Sequence, residues 1–306
     1  VRPVTAGQTF VVLGGAGRLG RHLLPVLRAQ GHRVIGVSRS PADDSPPDGW
    51  VCADLTTAAQ WASVQDQLLD LLGGAGEVVL VDLVLDRTSV ASMRRSISAA
   101  TTFTVRTRRL LAAEGHAVRV LAAGTTAALA PLGFQTPYGR AKRQQAVHYA
   151  RLECVDLVLL PQLVGTAKPD RSGDQPGAVV GNSCTYEAAA VALHAIGHHP
   201  ARRSLWVVRG GDPQPYVHRG IAGLPGALGS LVLSHTVGRN SPTAHRRASR
   251  ERLALLPPRI RAGVDHHGAP ERLVRAFERY LDMPRARTVI VGDQPARSKE
   301  DDEQYP

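Results

Sequence analysis

Aromatic side chains are scarce: Phe, Trp and Tyr together make up 4% of the 306 residues. The core must therefore rest on Val, Leu, Ile and Ala. Cysteine is rarer still, with Cys52, Cys154 and Cys184 far apart and no Cys-x-x-Cys pair. That pattern excludes a disulfide framework and a Cys-based zinc knuckle, and it fits a reducing, cytoplasmic setting. No apolar run reaches the roughly 18 residues that would suggest a membrane span. The opening Val1-Arg2-Pro3-Val4 shows no apolar leader behind a basic region, so no membrane partner is expected. Lysine is confined to Lys142, Lys168 and Lys299, so the net charge of +11 is almost entirely arginine. The arginines are scattered from Arg2 to Arg297, and the densest basic stretch, His245 to Arg250, carries no interleaved aromatics. It reads as solvated surface, and no nucleic-acid partner is expected.

What is present is alternation. Thr9 to Leu13, His32 to Val37, Trp50 to Ala53, Glu77 to Val84, Val118 to Ala123, Val155 to Leu160 and Ser204 to Val208 read as strands. Helices are expected at 19–30, after Asp54, at 91–114, 138–152, 186–196 and 271–281. Strand and helix in turn predict an α/β fold with a doubly wound parallel sheet. The unbroken run Val78-Val79-Leu80-Val81 suits a strand covered on both faces. Residues 168–182 are rich in Gly, Pro, Asp and Ser and read as a long loop. Gly220 to Val237 reads as part of a small helical lobe, and the charged tail from Gln294 as disordered. The domains expected are 7–167 with the late strand 204–209 added, a mainly helical C-terminal substrate lobe from 168–203 and 213–285, and a tail at 294–306.

Between the first strand and the first helix stands Leu13-Gly14-Gly15-Ala16-Gly17-Arg18-Leu19-Gly20. Gly14 permits a tight turn, Gly17 lets backbone approach a pyrophosphate, and Gly20 lets the helix pack closely on the strands. The helix N-terminus then offers free N–H groups and its positive end to phosphate. The second strand ends at Val37-Ser38-Arg39-Ser40 without the Asp or Glu that accepts hydrogen bonds from NAD ribose hydroxyls. Arg39 suits a 2′-phosphate, and Arg18 can approach the same group. NADP(H) is therefore expected over NAD(H), with NAD left open.

Glycines three apart, after a strand and before a helix, resemble the short-chain dehydrogenase/reductase superfamily, especially its extended branch of epimerases, dehydratases and ketoreductases. The resemblance implies a Rossmann-like fold and a dinucleotide held by Gly14, Gly17, Arg18, Leu19, Arg39, Asp54 and Leu55, with Asp54 beside the adenine. Tyr138-Gly139-Arg140-Ala141-Lys142 matches the superfamily's Tyr-x-x-x-Lys pair. Four residues apart on a helix, phenol and ammonium share a face, and a nearby cation favours the phenolate. Thr125, thirteen residues before Tyr138, is preferred over Thr126 as the hydroxyl that completes the trio. Lys142 would also hold the nicotinamide ribose. Pro161-Gln162-Leu163-Val164-Gly165 resembles the turn beside the nicotinamide. The resemblance runs over about residues 9–212 and more faintly to 281. It also allows a homodimer through helices that flank the site.

Three places depart from the family pattern. After the fourth strand stands Asp82-Leu83-Val84-Leu85-Asp86, the following helix has no Asn at its middle, and Leu160 stands where an Arg precedes the Pro. Asp82 or Asp86 either bonds ribose or substrate or caps the loop. The reaction expected is NADPH-dependent reduction of a ketone in a small-molecule biosynthetic intermediate, a sugar or a secondary metabolite. A redox-neutral epimerase, dehydratase or cyclase and a non-catalytic cofactor-binding protein are the alternatives. His198-His199 and Asp265-His266-His267 attract notice, but adjacent side chains diverge and chelate poorly, so no metal site is expected.

Overall fold

The computed structural model describes residues 8–41, 48–74, 76–86, 88–129, 136–164, 183–199, 203–210 and 271–291. Its eight-stranded sheet runs β1 Thr9–Leu13, β2 Arg33–Ser38, β3 Gly49–Cys52, β4 Glu77–Asp82, β5 Ala117–Thr125, β6 Val155–Leu160, β9 Arg203–Gly210 and β10 Arg287–Val291. The spatial order is β10-β9-β6-β5-β4-β1-β2-β3, and every pairing in it is parallel. This is the Rossmann-like, doubly wound arrangement. The chain order reverses between β1 and β4, so a crevice opens at the C-terminal ends of those two strands. A second parallel pair, β7 Gln162–Val164 and β8 Ser183–Thr185, lies apart from the sheet.

Helices cover both faces: α1 Arg18–Ala29 and α5 Tyr186–Gly197 on one side; α2 Trp61–Leu72, α3 Val90–Ala113, α4 Pro137–Tyr149 and α6 Glu271–Leu281 on the other. Strand β4 shows why the sequence must fold this way. Val79 and Val81 join the layer under α1 and α5, while Val78 and Leu80 join the opposite layer, and all four are buried. A strand with one wet face would alternate; this one cannot.

Two sequence assignments change. The stretches 183–199 and 271–285, assigned above to a substrate lobe, pack on the sheet. Ala189, Leu193 and Ile196 of α5 belong to the α1 layer, and Val274, Phe277 and Leu281 of α6 belong to the opposite core. The Arg143 guanidinium of α4 lies 4.2 Å from the Tyr280 ring centre and clamps α6 in place. Strand β10, absent from the sequence reading, then adds to the sheet beyond β9. The fifth strand also runs further than expected and carries Thr125 as its last residue. The rest of the expected lobe, the glycine-rich stretch 220–237 and the tail from 294 lie outside the described residues.

Candidate active site

Gly14 ends β1 with φ of 82°, a left-handed conformation that side chains resist. Its N–H donates to the Val37 carbonyl at 2.8 Å, and its carbonyl accepts from Gly17 N–H at 2.9 Å. The turn is thus tied to β2 and closed on itself. Gly20 is the tightest point: a Cβ there would sit 2.3 Å from the Gly15 carbonyl oxygen. Only glycine lets α1 approach this closely, and the approach aims the first turn of the helix into the crevice. Gly17 is the N-cap of α1, no side chain among the described residues caps that end, and no acidic residue sits in its first turn. The amides of Arg18 and Leu19 are therefore placed for an anionic group, which fits a dinucleotide's pyrophosphate.

The adenosine-side residues fare unevenly. Arg39 follows β2 with its side chain 70% exposed, and its Nη1 stands 3.9 Å from Asp86 Oδ2. Asp54 spends Oδ1 on the N–H and hydroxyl of Thr56, at 2.9 and 2.8 Å. The Leu55 side chain is buried in the core and its carbonyl accepts from Trp61 Nε1 at 2.8 Å. Only the backbone amide and backbone path of Leu55 remain for a ligand, not its side chain.

The catalytic candidates converge at the C-terminal end of β5. Thr125 Oγ1 accepts from Ala127 N–H at 3.2 Å, which leaves the hydroxyl proton to donate. Thr136 caps α4 by accepting from Gly139 N–H at 3.0 Å, and Pro137 opens the helix. A Cβ on Gly139 would lie 2.6 Å from the Ala127 carbonyl oxygen, so the first turn of α4 presses on the segment that follows Thr125. This brings Tyr138 to that segment. Its ring packs beside Leu85 against a small cluster of Val90, Met93, Ile97 and Ala141. One turn on, Lys142 is 4% exposed and its Nζ donates to the Ala123 carbonyl at 2.8 Å. Pro161 is buried directly after β6. Gly165, the last residue of the expected turn, lies outside the described residues.

The loop after β4 joins the two halves of the site. Leu83 and Val84 backbone atoms lie 3.2 Å from where a Gly14 Cβ would be, and Leu85 touches the Tyr138 cluster. The two acids of this loop have separate jobs. Asp82 is fully buried; its Oδ2 accepts from Tyr149 Oη at 2.6 Å and Gln145 Nε2 at 2.7 Å, and its Oδ1 from Val84 N–H at 3.1 Å. It is a clamp between β4 and α4, not a ligand for ribose. Burial, then the Asp82 charge and hydrogen bond, push the Tyr149 phenol well above its ordinary range, so it stays a donor. Asp86 folds its own loop by accepting from the N–H and hydroxyl of Thr88, both at 2.8 Å; these bonds, with Arg39 nearby, hold its carboxyl below the usual value.

Gln145 and Tyr149 were missed in the sequence. Their signal was there: Lys142, Gln145 and Tyr149 fall three and four apart on α4, a polar stripe on a buried helix face.

Residues 10–153 match the model of the NAD dependent epimerase/dehydratase family. That stretch, a little under half of the chain, is similar to the family. The epimerase/dehydratase match takes in β1, the glycine turn, Thr125, Tyr138 and Lys142, and ends before β6. Over 95 residues the chain is 34% identical to L-xylulose reductase of Bos taurus, covering 29% of this chain and 35% of that protein. The chain thus spans about a third of that curated relative. Among solved structures, a short chain dehydrogenase from Bacillus anthracis superposes with a TM-score of 0.51 at 13% identity, over 64% of this chain and 90% of the other. Serine dehydrogenase from Escherichia coli gives 0.50 at 15% identity, over 65% and 95%. The Bordetella bronchiseptica enzyme WbmG, solved in complex with NAD, gives 0.50 at 13% identity, over 68% and 74%. These superpositions establish a shared fold. Among the described residues, no helix is long and apolar enough to cross a membrane.

Proposed function

We propose that this protein binds NADP(H) and reduces a ketone in a small biosynthetic intermediate. The observation that carries the reading is the single corner in which the β4 loop joins the glycine turn to Tyr138, with Thr125 and Lys142 at the adjacent end of β5. The residues suited to hold the dinucleotide are Gly14, Gly17 and the amides of Arg18 and Leu19 at its phosphates, with Arg39 at a 2′-phosphate. When bound, the reduced nicotinamide would supply a hydride, one proton with two electrons, to a carbonyl carbon. Tyr138 gives its phenolic proton to the carbonyl oxygen, and the Thr125 hydroxyl donates to the same oxygen. Lys142, buried one turn along α4, stabilises the phenolate left behind until water returns the proton. The name of the bovine relative, a sugar reductase, agrees with reduction, and the family description leaves epimerase or dehydratase chemistry as the second reading.

The deciding experiment is mass spectrometry of small molecules that accompany gently isolated protein, with NADPH and NADH titrations beside it. NADPH bound at least tenfold more tightly than NADH supports the reductase. Firmly retained NAD favours the redox-neutral reading, and binding of neither overturns both.

A further inference from the structure

The far end of the sheet holds a second cluster that no part of the dinucleotide reading uses. Helix α1 ends in a glycine C-cap: Gly31 has φ of 79°, its N–H donates to the Arg28 carbonyl at 2.9 Å, and the His32 N–H donates to the Leu27 carbonyl at 3.2 Å. That cap delivers His32, buried, to the entrance of β2, with its ring 4.9 Å from that of Phe10. From the other side, Gly197 lets the end of α5 rest on the same ring, since a Cβ there would lie 3.1 Å from Phe10. His194 of α5 and His198, the C-cap of that helix, stand one turn apart, linked by the His198 N–H to the His194 carbonyl at 3.0 Å. The fold thereby gathers three imidazoles, each offering one nitrogen, with those atoms all within 4.8 Å of one another.

The geometry is that of ligands more than of a hydrogen bond. His32 Nε2 and His194 Nε2 are 3.4 Å apart. A good N–H bond is shorter, at roughly 2.7–3.2 Å. Two nitrogens on a tetrahedral zinc, each about 2.0–2.1 Å from the ion, are separated by roughly 3.3–3.4 Å. The His-x-x-x-His spacing on one helix is also a familiar ligand pair. Among the described residues, the buried Nδ1 of His32 has no hydrogen-bond partner.

We propose that His32, His194 and His198 form a binding site for a divalent transition metal, zinc by preference. Three imidazoles leave the fourth position to water, on the side of exposed His198. The ion pins the start of β2 to the end of α5 and so fastens the α1–α5 layer. It lies at the N-terminal ends of the strands, opposite the glycine turn, and takes no part in the dinucleotide chemistry. His199, the next residue, turns away: its ring lies 5.2 Å from that of Trp206 and accepts from Arg287 Nη1.

The test uses the full chain, stripped with a chelator and titrated with Zn²⁺ and, for its visible bands, Co²⁺. One equivalent of Co²⁺ should give a tetrahedral spectrum, and Zn²⁺ should raise Tm. His198→Ala and His194→Ala should each weaken binding by roughly tenfold or more and remove the Tm rise, while His199→Ala leaves both intact. His198 is exposed, so its variant is expected to fold; NADPH affinity unchanged in it verifies that. If the His194 and His198 variants bind either ion as the wild type does, or the wild type binds none, the site is disproved.

Discussion

The two ends of the parallel sheet are built on opposite terms. At the C-terminal ends, backbone is left open. Gly14, Gly17 and Gly20 make room, the first turn of α1 is uncapped by any side chain among the described residues, and Arg39 stands largely in solvent. At the N-terminal ends, side chains converge on one another. Three histidines meet there, and Asp156 of β6 lies fully buried between Trp206 Nε1, at 3.0 Å, and Arg119 Nε, at 3.5 Å. One end is shaped to receive a ligand through its backbone; the other is held by groups distant in sequence. The strongest way to break this contrast is at Tyr138. Tyr138→Phe should lower turnover by about 10²–10⁴-fold, the range for a general acid, and leave NADPH affinity within about twofold. Single-turnover rates and a binding titration check it. Full activity would remove the proposed mechanism.

Asp82 is the exception within the open end, because it closes that end's floor with buried side chains. Asp82→Ala removes the acceptor of the Gln145 amide and the Tyr149 hydroxyl inside the protein, leaving Tyr149 only the Thr101 and Thr104 hydroxyls. Unfolding in urea should show a loss of roughly 3 kcal/mol, from two buried polar groups at about 1–3 kcal/mol each. A loss under about 1 kcal/mol would mean that water enters to satisfy them. Because α4 also carries Tyr138 and Lys142, turnover should fall even in the protein that remains folded.

That same contrast decides what could be read from sequence. The glycine turn and the Tyr138–Lys142 pair could be picked out as candidates because each lies within eight consecutive residues. Strand β4 was legible because burial on both faces leaves an unbroken apolar run. The histidine cluster was not, since His32 and His194 are 162 residues apart and only the packing of α5 on α1 unites them. Adjacent His198 and His199 do diverge, and the imidazoles that His198 meets come from His194, one turn earlier, and from distant His32. Likewise α6 showed its apolar stripe, but nothing local says which surface that stripe covers. The roles of Asp82 and Asp86 stayed open in sequence because a carboxylate after a strand serves a loop or a ligand equally well.

A third prediction probes the closed end by pH. Burial pushes the Asp156 carboxyl up to about 6, against the pull of the Trp206 N–H and the Arg119 and Arg287 charges. In the folded protein it therefore holds its proton more tightly than in the unfolded chain, where about 3.9 applies. Between those values the native state binds more protons, so stability falls as pH rises from about 4 to about 6. The full effect is on the order of 2–3 kcal/mol, present as added stability at the acid side and gone above the folded value. Stability of the wild type minus that of Asp156→Asn, measured by urea unfolding across this range, should fall with pH. A flat difference would show that Arg119 keeps the carboxylate charged throughout.

The smallest effect sharpens the open end, where the proposed cofactor choice rests on exposed Arg39 and partly buried Asp86. Arg39→Ala should weaken NADPH by roughly tenfold, about 1.4 kcal/mol, and leave NADH nearly unchanged, because only the 2′-phosphate distinguishes them. Asp86 works against this preference, since its carboxylate stands 3.9 Å from the same guanidinium and would repel a phosphate bound there. Asp86→Asn should therefore tighten NADPH a few-fold while its side-chain oxygen still accepts from Thr88. In the double variant the gain from Asp86→Asn should shrink, because part of it comes from releasing Arg39. The reverse pattern, with Asp86→Asn weakening NADH and Arg39→Ala changing nothing, would make Asp86 the ribose acceptor. The open end would then be an NAD site whose acidic residue comes from the β4 loop instead of the end of β2.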